Sequence, residues 1–465
     1  MSQDPKSFRD QISTVTDDGK KRKWIYAKII KGKLYAYRSA LSYFFLVLLL
    51  AAPFLRLNGE QLILLNVLER KFVFFGLVFW PQDFYLFVLA LLTFIVFVVL
   101  FTVVFGRVFC GWVCPQTIFM EMVFRKIEQW IEGDHLKQKK LDEGPLTTEK
   151  FLKKTAKHFI FLAISFAIAN IFLAYLIGSD TLRKIIVEPV TQHLSGFISI
   201  WLFTFVFYLV FSRMRELVCT VICPYGRLQG VLLDNQSIIV AYDYLRGEPR
   251  GKRAKAEPKV TGDCIDCKLC VQVCPTGIDI RNGTQMECIN CTACIDACDM
   301  VMEKINRPLR LIGFKSEDEV KHGKPFQLSK RIYGYSAVLL VLAGTLGYLL
   351  LSRSAVKTTI LRASGTLYQM RDNDHTVSNL YNAELVNKTK GDLKFSIRPD
   401  LPEAKIQYID QTNELKYGKT AKLTFFIILP QKEIKKYKTE IGFKLISGGK
   451  VIDHFETTFI APPNE

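Results

Sequence analysis

The chain has 465 residues, 62 Lys and Arg against 44 Asp and Glu, a formal net charge of +18, and 12 cysteines. At about 150 residues per unit the length allows roughly three structural units. With 49% hydrophobic residues and 35 Phe, it excludes a small disulfide-stapled secreted domain. The positive balance first suggests nucleic acid, but the placement of the charges gives a different account.

Behind a basic N-terminal tail (1–36), five apolar runs are long enough to cross a bilayer. They run from about Tyr37 to Leu55, Phe84 to Phe105, Phe159 to Gly178, Leu194 to Phe211 and Ile332 to Leu351. At 1.5 Å per residue, about 20 residues cross a hydrocarbon layer of about 30 Å. The second and third carry no formal charge. Ser195, Ser199 and Thr204 dilute the fourth, for which a packed interior helix is the alternative. A further stretch, Phe72 to Trp80, is too short to span and is expected to be interfacial or re-entrant, stopping near Pro81.

Lys and Arg number ten in residues 1–38, ten in 107–158 and nineteen in 213–331, against three in 56–83 and two in 179–196. The asymmetry of the short loops places the N-terminus in the cytoplasm, and five spans then put 352–465 outside. Much of the net charge is thus a topology signal. The N-terminal KKRKW stretch precedes a full-length span without a small-residue cleavage pattern, and reads as part of a retained anchor.

Between the fourth and fifth spans, in the cytoplasmic segment 213–331, lies CIDCKLCVQVCP with Cys264, Cys267, Cys270 and Cys274. CINCTACIDAC follows with Cys288, Cys291, Cys294 and Cys298. This doubled C-x2-C-x2-C-x3-C register is that of a bacterial-type two-cluster ferredoxin, here at about 255–305. In that arrangement the fourth cysteine of each run serves the other cluster. Cys264, Cys267, Cys270 and Cys298 are expected to hold one [4Fe–4S] cluster, and Cys288, Cys291, Cys294 and Cys274 the second. Zinc is the main alternative for thiolate pairs. Disulfides do not suit a reducing cytoplasm. Asp299 stands where the first run has Pro275, and its carboxylate is expected to lower the potential of the cluster using Cys298.

A second centre is suggested at the cytoplasmic ends of spans two and four. GRVFCGWVCPQT contains Cys110, Cys114 and Pro115, and SRMRELVCTVICPYG contains Cys219, Cys223 and Pro224. The repeated C-x3-C-P hints at duplication of a helix-pair unit. Cysteines at i and i+4 share a helical face, and four soft thiolates would favour Cu(I), Zn or an Fe–S unit. Inert buried cysteines are the alternative. Arg107, Arg213 and Arg215 could favour thiolates, but arginine at a cytoplasmic helix end is ordinary topology signal. His158 and His193 form no paired haem-ligand pattern and read as solvated. The run Ile118 to Ile131 sets Phe119, Met122, Val123, Ile127 and Trp130 among Glu121, Arg125, Lys126 and Glu128. It is expected to lie along the inner surface near Cys110 and Cys114, with Met120 and Met122 in packing roles rather than passing copper.

After the fifth span (332–351), residues 352–465 change to short alternating stretches such as LYNAELVN, DLKFSIR, TAKLTFFIIL, KTEIGFKLI and FETTFIA. These predict an immunoglobulin-like β-sandwich that serves in docking. The formal sequon at Asn387 reads as strand-edge residues. The fold class is therefore a mixed multi-domain membrane protein: a five-helix transmembrane bundle (helices 1–4 in 37–212, with a loop at 106–158), an inserted two-cluster ferredoxin and a C-terminal sandwich.

RKWIYAKIIKGKLYAYR, FGLVFWPQDF, FGRVFCGWVCPQTIFMEMVFRKIEQWIEGD and ELVCTVICPYGRLQG, with the double-cluster segment and the β tail, resemble the cytochrome c oxidase accessory proteins of the CcoG, FixG and RdxA type. The family commonly has proline where this chain has Ala27. The resemblance implies a bacterial inner-membrane protein that reduces Cu(II) to Cu(I) for assembly of a high-affinity haem–copper oxidase. It implies eight cluster-ligating cysteines and Cys110, Cys114, Cys219 and Cys223 as the copper or redox residues. The implied cofactors are two [4Fe–4S] clusters, with copper as substrate. The implied partners are a cytoplasmic electron donor, a copper chaperone or copper-transporting ATPase, oxidase assembly factors or subunits, and the lipid bilayer, with no nucleic acid; a homodimer is left open. The alternatives are a quinol-linked subunit of a respiratory reductase and a non-catalytic assembly scaffold or redox sensor.

Overall fold

A computed structural model describes residues 22–57, 59–79, 83–251, 262–323, 326–352, 356–363, 367–371, 375–387, 391–410, 414–415, 420–434 and 436–462. The chain divides into two compact units, residues 1–345 and 346–465.

Five helices of the described chain are long and apolar enough to cross a membrane: Lys33–Ala51, Phe84–Phe105, Thr148–Ile177, Val190–Met214 and Lys330–Leu351. Their outward faces leave Phe94, Phe97, Leu202 and Val341 exposed, as helices facing lipid rather than water would. The third starts well before its apolar run, because Thr147 caps it by accepting the Lys150 amide at 3.2 Å. The fourth is continuous from a short 3₁₀ turn, Val190–His193, through an α-helix to a π-turn at Val210–Met214.

Two expectations give way in this unit. Phe72–Phe79, expected within an interfacial or re-entrant segment, does not form a re-entrant loop. It is the last two strands of an antiparallel sheet of Ile63–Asn66, Lys71–Phe74 and Leu77–Phe79. Phe74 pairs with Leu77 around the two-residue turn Phe75-Gly76, whose φ values are 50° and 77°. Two left-handed residues make a turn that matches strand twist. The stop near Pro81 lies outside the described residues.

Nor does the run from Ile118 lie along a surface. A short helix, Pro115–Ile118, a π-segment, Phe119–Phe124, and a helix, Arg125–Glu132, pack into the bundle. Phe119, Met120 and Phe124 are buried with Phe161, Ile168 and Phe211, and Phe124 stacks on Phe211 at 4.7 Å. Trp130 is 81% exposed while Glu128 is buried, the reverse of the expected faces. The π-segment shifts the register of the apolar face, and buried cations retain Glu128 inside. Met120 and Met122 are buried and pack, as expected.

The ferredoxin segment is clamped by an antiparallel pair, Ile239–Tyr242 with Ile312–Lys315. Val240, Tyr242, Ile278, Ile280, Ile295, Met302 and Leu311 form its core.

In the second unit, a five-stranded and a three-stranded antiparallel sheet contribute to one core. Tyr381, Phe425 and Ile427 come from the first sheet, and Ile441, Phe443 and Phe459 from the second. The inward residues alternate along Thr420–Pro430, the period-two pattern visible in the sequence. Asn387 is fully buried and donates to the Gly391 and Leu415 carbonyls at 2.8 and 2.9 Å, which leaves its amide unavailable for glycosylation.

Candidate redox site

The two ferredoxin runs fold alike. In the first, Asp266 and Lys268 have φ of 54° and 58°; in the second, Asn290 and Thr292 have 51° and 66°. Left-handed residues on both sides of the second cysteine curl each loop so that backbone amides turn inward. The Asn290 amide donates to the Cys288 sulfur and the Ala293 amide to Cys291. Each third cysteine then enters a helix, Leu269–Gln272 or Ala293–Lys304.

The structure brings the eight thiols together in two groups. Cys264, Cys267, Cys270 and Cys298 line one cavity. Burial pushes the Cys294 thiol well up, and neighbouring Cys291, Cys288 and Cys274 push it further. Both groups mix cysteines of the two runs. Eight cysteines in this doubled register, drawn from both runs into each group, suit two cubanes better than the zinc alternative. Among the eight, Cys267 alone is exposed, whereas Cys264, Cys270 and Cys291 are buried.

The C-x3-C-P turns are also built alike. Gly106 has φ 57° and ψ −134° and Arg215 has φ 49° and ψ −119°, each four residues before the first cysteine. The second cysteine of each turn donates its amide five residues back, Cys114 to the Phe109 carbonyl at 3.0 Å and Cys223 to Val218 at 2.8 Å. Each then precedes the proline that starts a new helix, Pro115–Ile118 or Pro224–Leu232. The pairs therefore do not sit on one face of a continuous α-helix. Proline cannot supply the interior amide, so the chain closes a wide turn and restarts.

The two turns meet. Burial pushes the Cys219 thiol up to about 12, and the neighbouring Cys114, Cys110 and Cys223 add to the shift. Cys110 is pushed up to about 11 by burial, against the pull of Arg107. Cys114 is also raised by burial, opposed by the amides of Thr117 and Gln116. Those amides cradle its sulfur as the Asn290 amide cradles Cys288. Metal uptake here would displace thiol protons.

This centre adjoins the ferredoxin. Cys110, Ile289 and Cys291 form one buried cluster with Tyr225 and Ala293 packed against it. A methyl at Gly111 would collide with the Ile289 carbonyl oxygen and lie 2.9 Å from the Cys291 Cα. Trp112 Nε1 donates to the Asn290 carbonyl at 3.2 Å, and Arg38 Nε to the Gly111 carbonyl at 2.8 Å. Gln229 Oε1 accepts from both Arg107 Nε and Cys110 Sγ at 3.1 Å. Glycine is required where the turn presses on the cluster loop.

A 4Fe-4S dicluster domain matches residues 214–317 and a 4Fe-4S binding domain residues 87–133. The IG-like fold at C-terminal of FixG, putative oxidoreductase, matches 346–462. Nitrogen fixation protein FixG of Rhizobium meliloti is 35% identical over 303 residues, covering 63% of this chain and 57% of FixG, less than two thirds of that relative's length. Protein RdxA of Cereibacter sphaeroides is 36% identical over 353 residues, 73% of each chain. Protein RdxB of the same organism is 34% identical over 390 residues, 79% of this chain and 80% of RdxB. The chain belongs to the FixG/RdxA/RdxB family. The crystal structure of a FixG-related protein from Vibrio parahaemolyticus is 20% identical, covering 23% of this chain and 97% of that one, with a TM-score of 0.20.

As a family member with these domains and helices, the protein is a membrane-anchored iron–sulfur electron-transfer protein. Two residues of the centre lie outside the cysteine motifs, Gln229 and Arg38, while Asn290 stands within the second ferredoxin run. Only motif spacing was readable for Gln229, and nothing marked Arg38 beyond its charge. Arg107 is 3% exposed beside Cys110 and bonded to Gln229. Arg215 is buried against Glu128, whereas Arg213 is exposed. His158 is exposed and bonds Tyr208 at 2.9 Å, and His193 pairs with Glu188.

Proposed function

We propose that this protein passes single electrons from a cytoplasmic donor to the membrane edge and there reduces Cu(II) to Cu(I), supporting assembly of a haem–copper oxidase. The observation that carries the reading is the junction at Gly111, where the Cys110 turn rests directly on the Ile289–Cys291 loop. In this reading Cys264, Cys267, Cys270 and Cys298 hold the outer cluster and take electrons at the exposed Cys267. Cys288, Cys291, Cys294 and Cys274 hold the inner one. When bound, the clusters supply one-electron storage.

Cys110, Cys114, Cys219 and Cys223 receive copper as substrate. One electron converts Cu(II) to Cu(I), and soft thiolates retain the product until a chaperone or transporter removes it. The arginines and lysines of residues 22–38, 107–158 and 213–331 support a cytoplasmic ferredoxin, with the β domain on the far side. The two sheets sharing one core support its reading as an immunoglobulin-like sandwich for docking assembly factors.

One feature favours the quinol-linked reading: an apolar cavity of about 280 Å³ lined by Phe45, Leu49, Phe109, Val113, Pro115 and Tyr175, beside the Cys110 turn. Assays of purified protein with quinol and with Cu(II) separate the two. Cys110→Ala with Cys219→Ala should abolish copper reduction while iron and sulfide content stay unchanged. Undiminished turnover would remove these cysteines from the reaction.

A further inference from the structure

Arg107 and Arg38 lie at the junction of the two centres, and both are buried, 3% and 2% exposed. Arg107 donates to Gln229 Oε1, which also accepts from Cys110 Sγ. It lines the same small cavity as Cys288 and Asn290. Gly226 leaves it room, since a methyl there would stand 2.8 Å from both Arg107 Nη2 and the Cys219 carbonyl oxygen. Arg38 reaches the other side of the junction through the Gly111 carbonyl, and its charge opposes the burial of Cys291. Glu121 also acts on Cys291, but it is paired with Arg125.

Among the described residues, neither Arg107 nor Arg38 is paired with a carboxylate. A buried guanidinium without an anion costs several kcal/mol, so such groups are ordinarily paired. The groups around Arg107 able to become anionic are the thiols of Cys110, Cys219 and Cys288 and the phenol of Tyr225, whose proton burial holds in place. The outer thiol set contrasts with this. Its Arg281 is neutralised by Asp266 at 2.5 Å and Asp279 at 2.7 Å, and Asp299 adjoins Cys298 while accepting the Arg310 amide at 2.7 Å.

We propose that Arg107, with Arg38, is the shared counter-ion of the inner cluster and the membrane-edge thiolates, and that this fixed charge draws the electron from the outer thiolate set towards the membrane. The proposal rests on the electron route above but not on copper as its end. The step would be one electron without a proton, lost by the cluster that Cys264, Cys267, Cys270 and Cys298 would hold and gained by the one that Cys288, Cys291, Cys294 and Cys274 would hold. Arg107 stabilises the added negative charge, and no carboxylate beside it cancels the effect. Arg107 and Arg38 are positioning residues for the electron and do not react.

The test is a redox titration of anaerobically purified, cluster-loaded protein followed by electron paramagnetic resonance, with thermal melts of the cluster-free protein alongside. Arg107→Gln should move the midpoint of the inner cluster to more negative potential and leave the outer one in place. Arg107→Lys, which keeps the charge, should retain most of the wild-type midpoint. Cluster-free Arg107→Gln should melt no lower than cluster-free wild type, because it removes an unpaired buried cation. Equal shifts in the Lys and Gln variants, equal shifts of both clusters, or a marked loss of stability in cluster-free Arg107→Gln would overturn the proposal. The midpoints are read without copper, so failure of wild-type protein to reduce Cu(II) would strike the copper reading and leave this one standing.

Discussion

Three residues before its first cysteine, one C-x3-C-P turn carries Arg107 and the other carries Glu216, on turns that share a positive-φ residue and an amide bond five residues back from the second cysteine. Glu216, 1% exposed, lies within a closed ionic network. Arg22 binds it at 2.8 Å, and Arg215 meets both it and Glu128, the latter at 3.1 Å; Lys157 reaches Glu132 at 2.7 Å. Arg22 and Arg215 also approach Trp24, at 4.5 and 4.8 Å from the ring centre, which ties the segment before the first span to the bundle. Arg107 has no such network. Two similar turns thus differ in charge: on one side the charges cancel and fasten the chain, and on the other a charge is left over beside the thiols.

If this contrast is right, breaking the closed side should cost the most. Glu128→Ala leaves Arg215 and Lys157 short of a buried anion and should lower unfolding stability by about 3–5 kcal/mol, measured by thermal or denaturant unfolding in detergent. A loss no larger than that of an exposed glutamate would mean the network is not holding the chain.

Acid probes the same side. Burial by itself raises the Glu128 carboxyl, but Arg215, Lys157 and Arg125 outweigh it and hold it below the ordinary glutamate value. The folded value is the lower one, so the stabilisation is complete above the unfolded value and disappears as pH falls through the folded value. Melting temperature should therefore drop on acidification below the glutamate range, and Glu128→Gln should flatten that drop. An identical acid profile in the variant would assign the sensitivity elsewhere.

The smallest effect sharpens the boundary of the clamp. Thr147→Ala removes the cap of the third span and should cost about 1 kcal/mol, fraying Thr148–Phe151 without altering either cysteine centre. Hydrogen exchange confined to that first turn is the expected readout.

What the sequence made legible follows the range of each signal. Long apolar runs and doubled cysteine registers are local and strongly constrained, so the spans and the cluster-type runs could be read directly. Phe72–Phe79 misled because a short apolar run fits either a strand or a membrane segment, and only the Phe75-Gly76 turn decides. The Ile118 run misled because a π-segment alters which face is buried, exposing Trp130 and burying Glu128. Gln229 and Arg38 were invisible because their roles depend on contacts across 119 and 73 residues of sequence.

The central claim is that electrons leave the ferredoxin through the Gly111 junction. Gly111→Ala places a methyl against the backbone of Ile289 and Cys291 and must push the two centres apart. Dithionite-reduced protein, freed of excess reductant and mixed rapidly with one equivalent of Cu(II), should show cluster reoxidation in step with loss of the Cu(II) signal. Gly111→Ala is expected to keep both clusters and to slow both signals together. Wild-type rates in that variant would place the exit of electrons somewhere else.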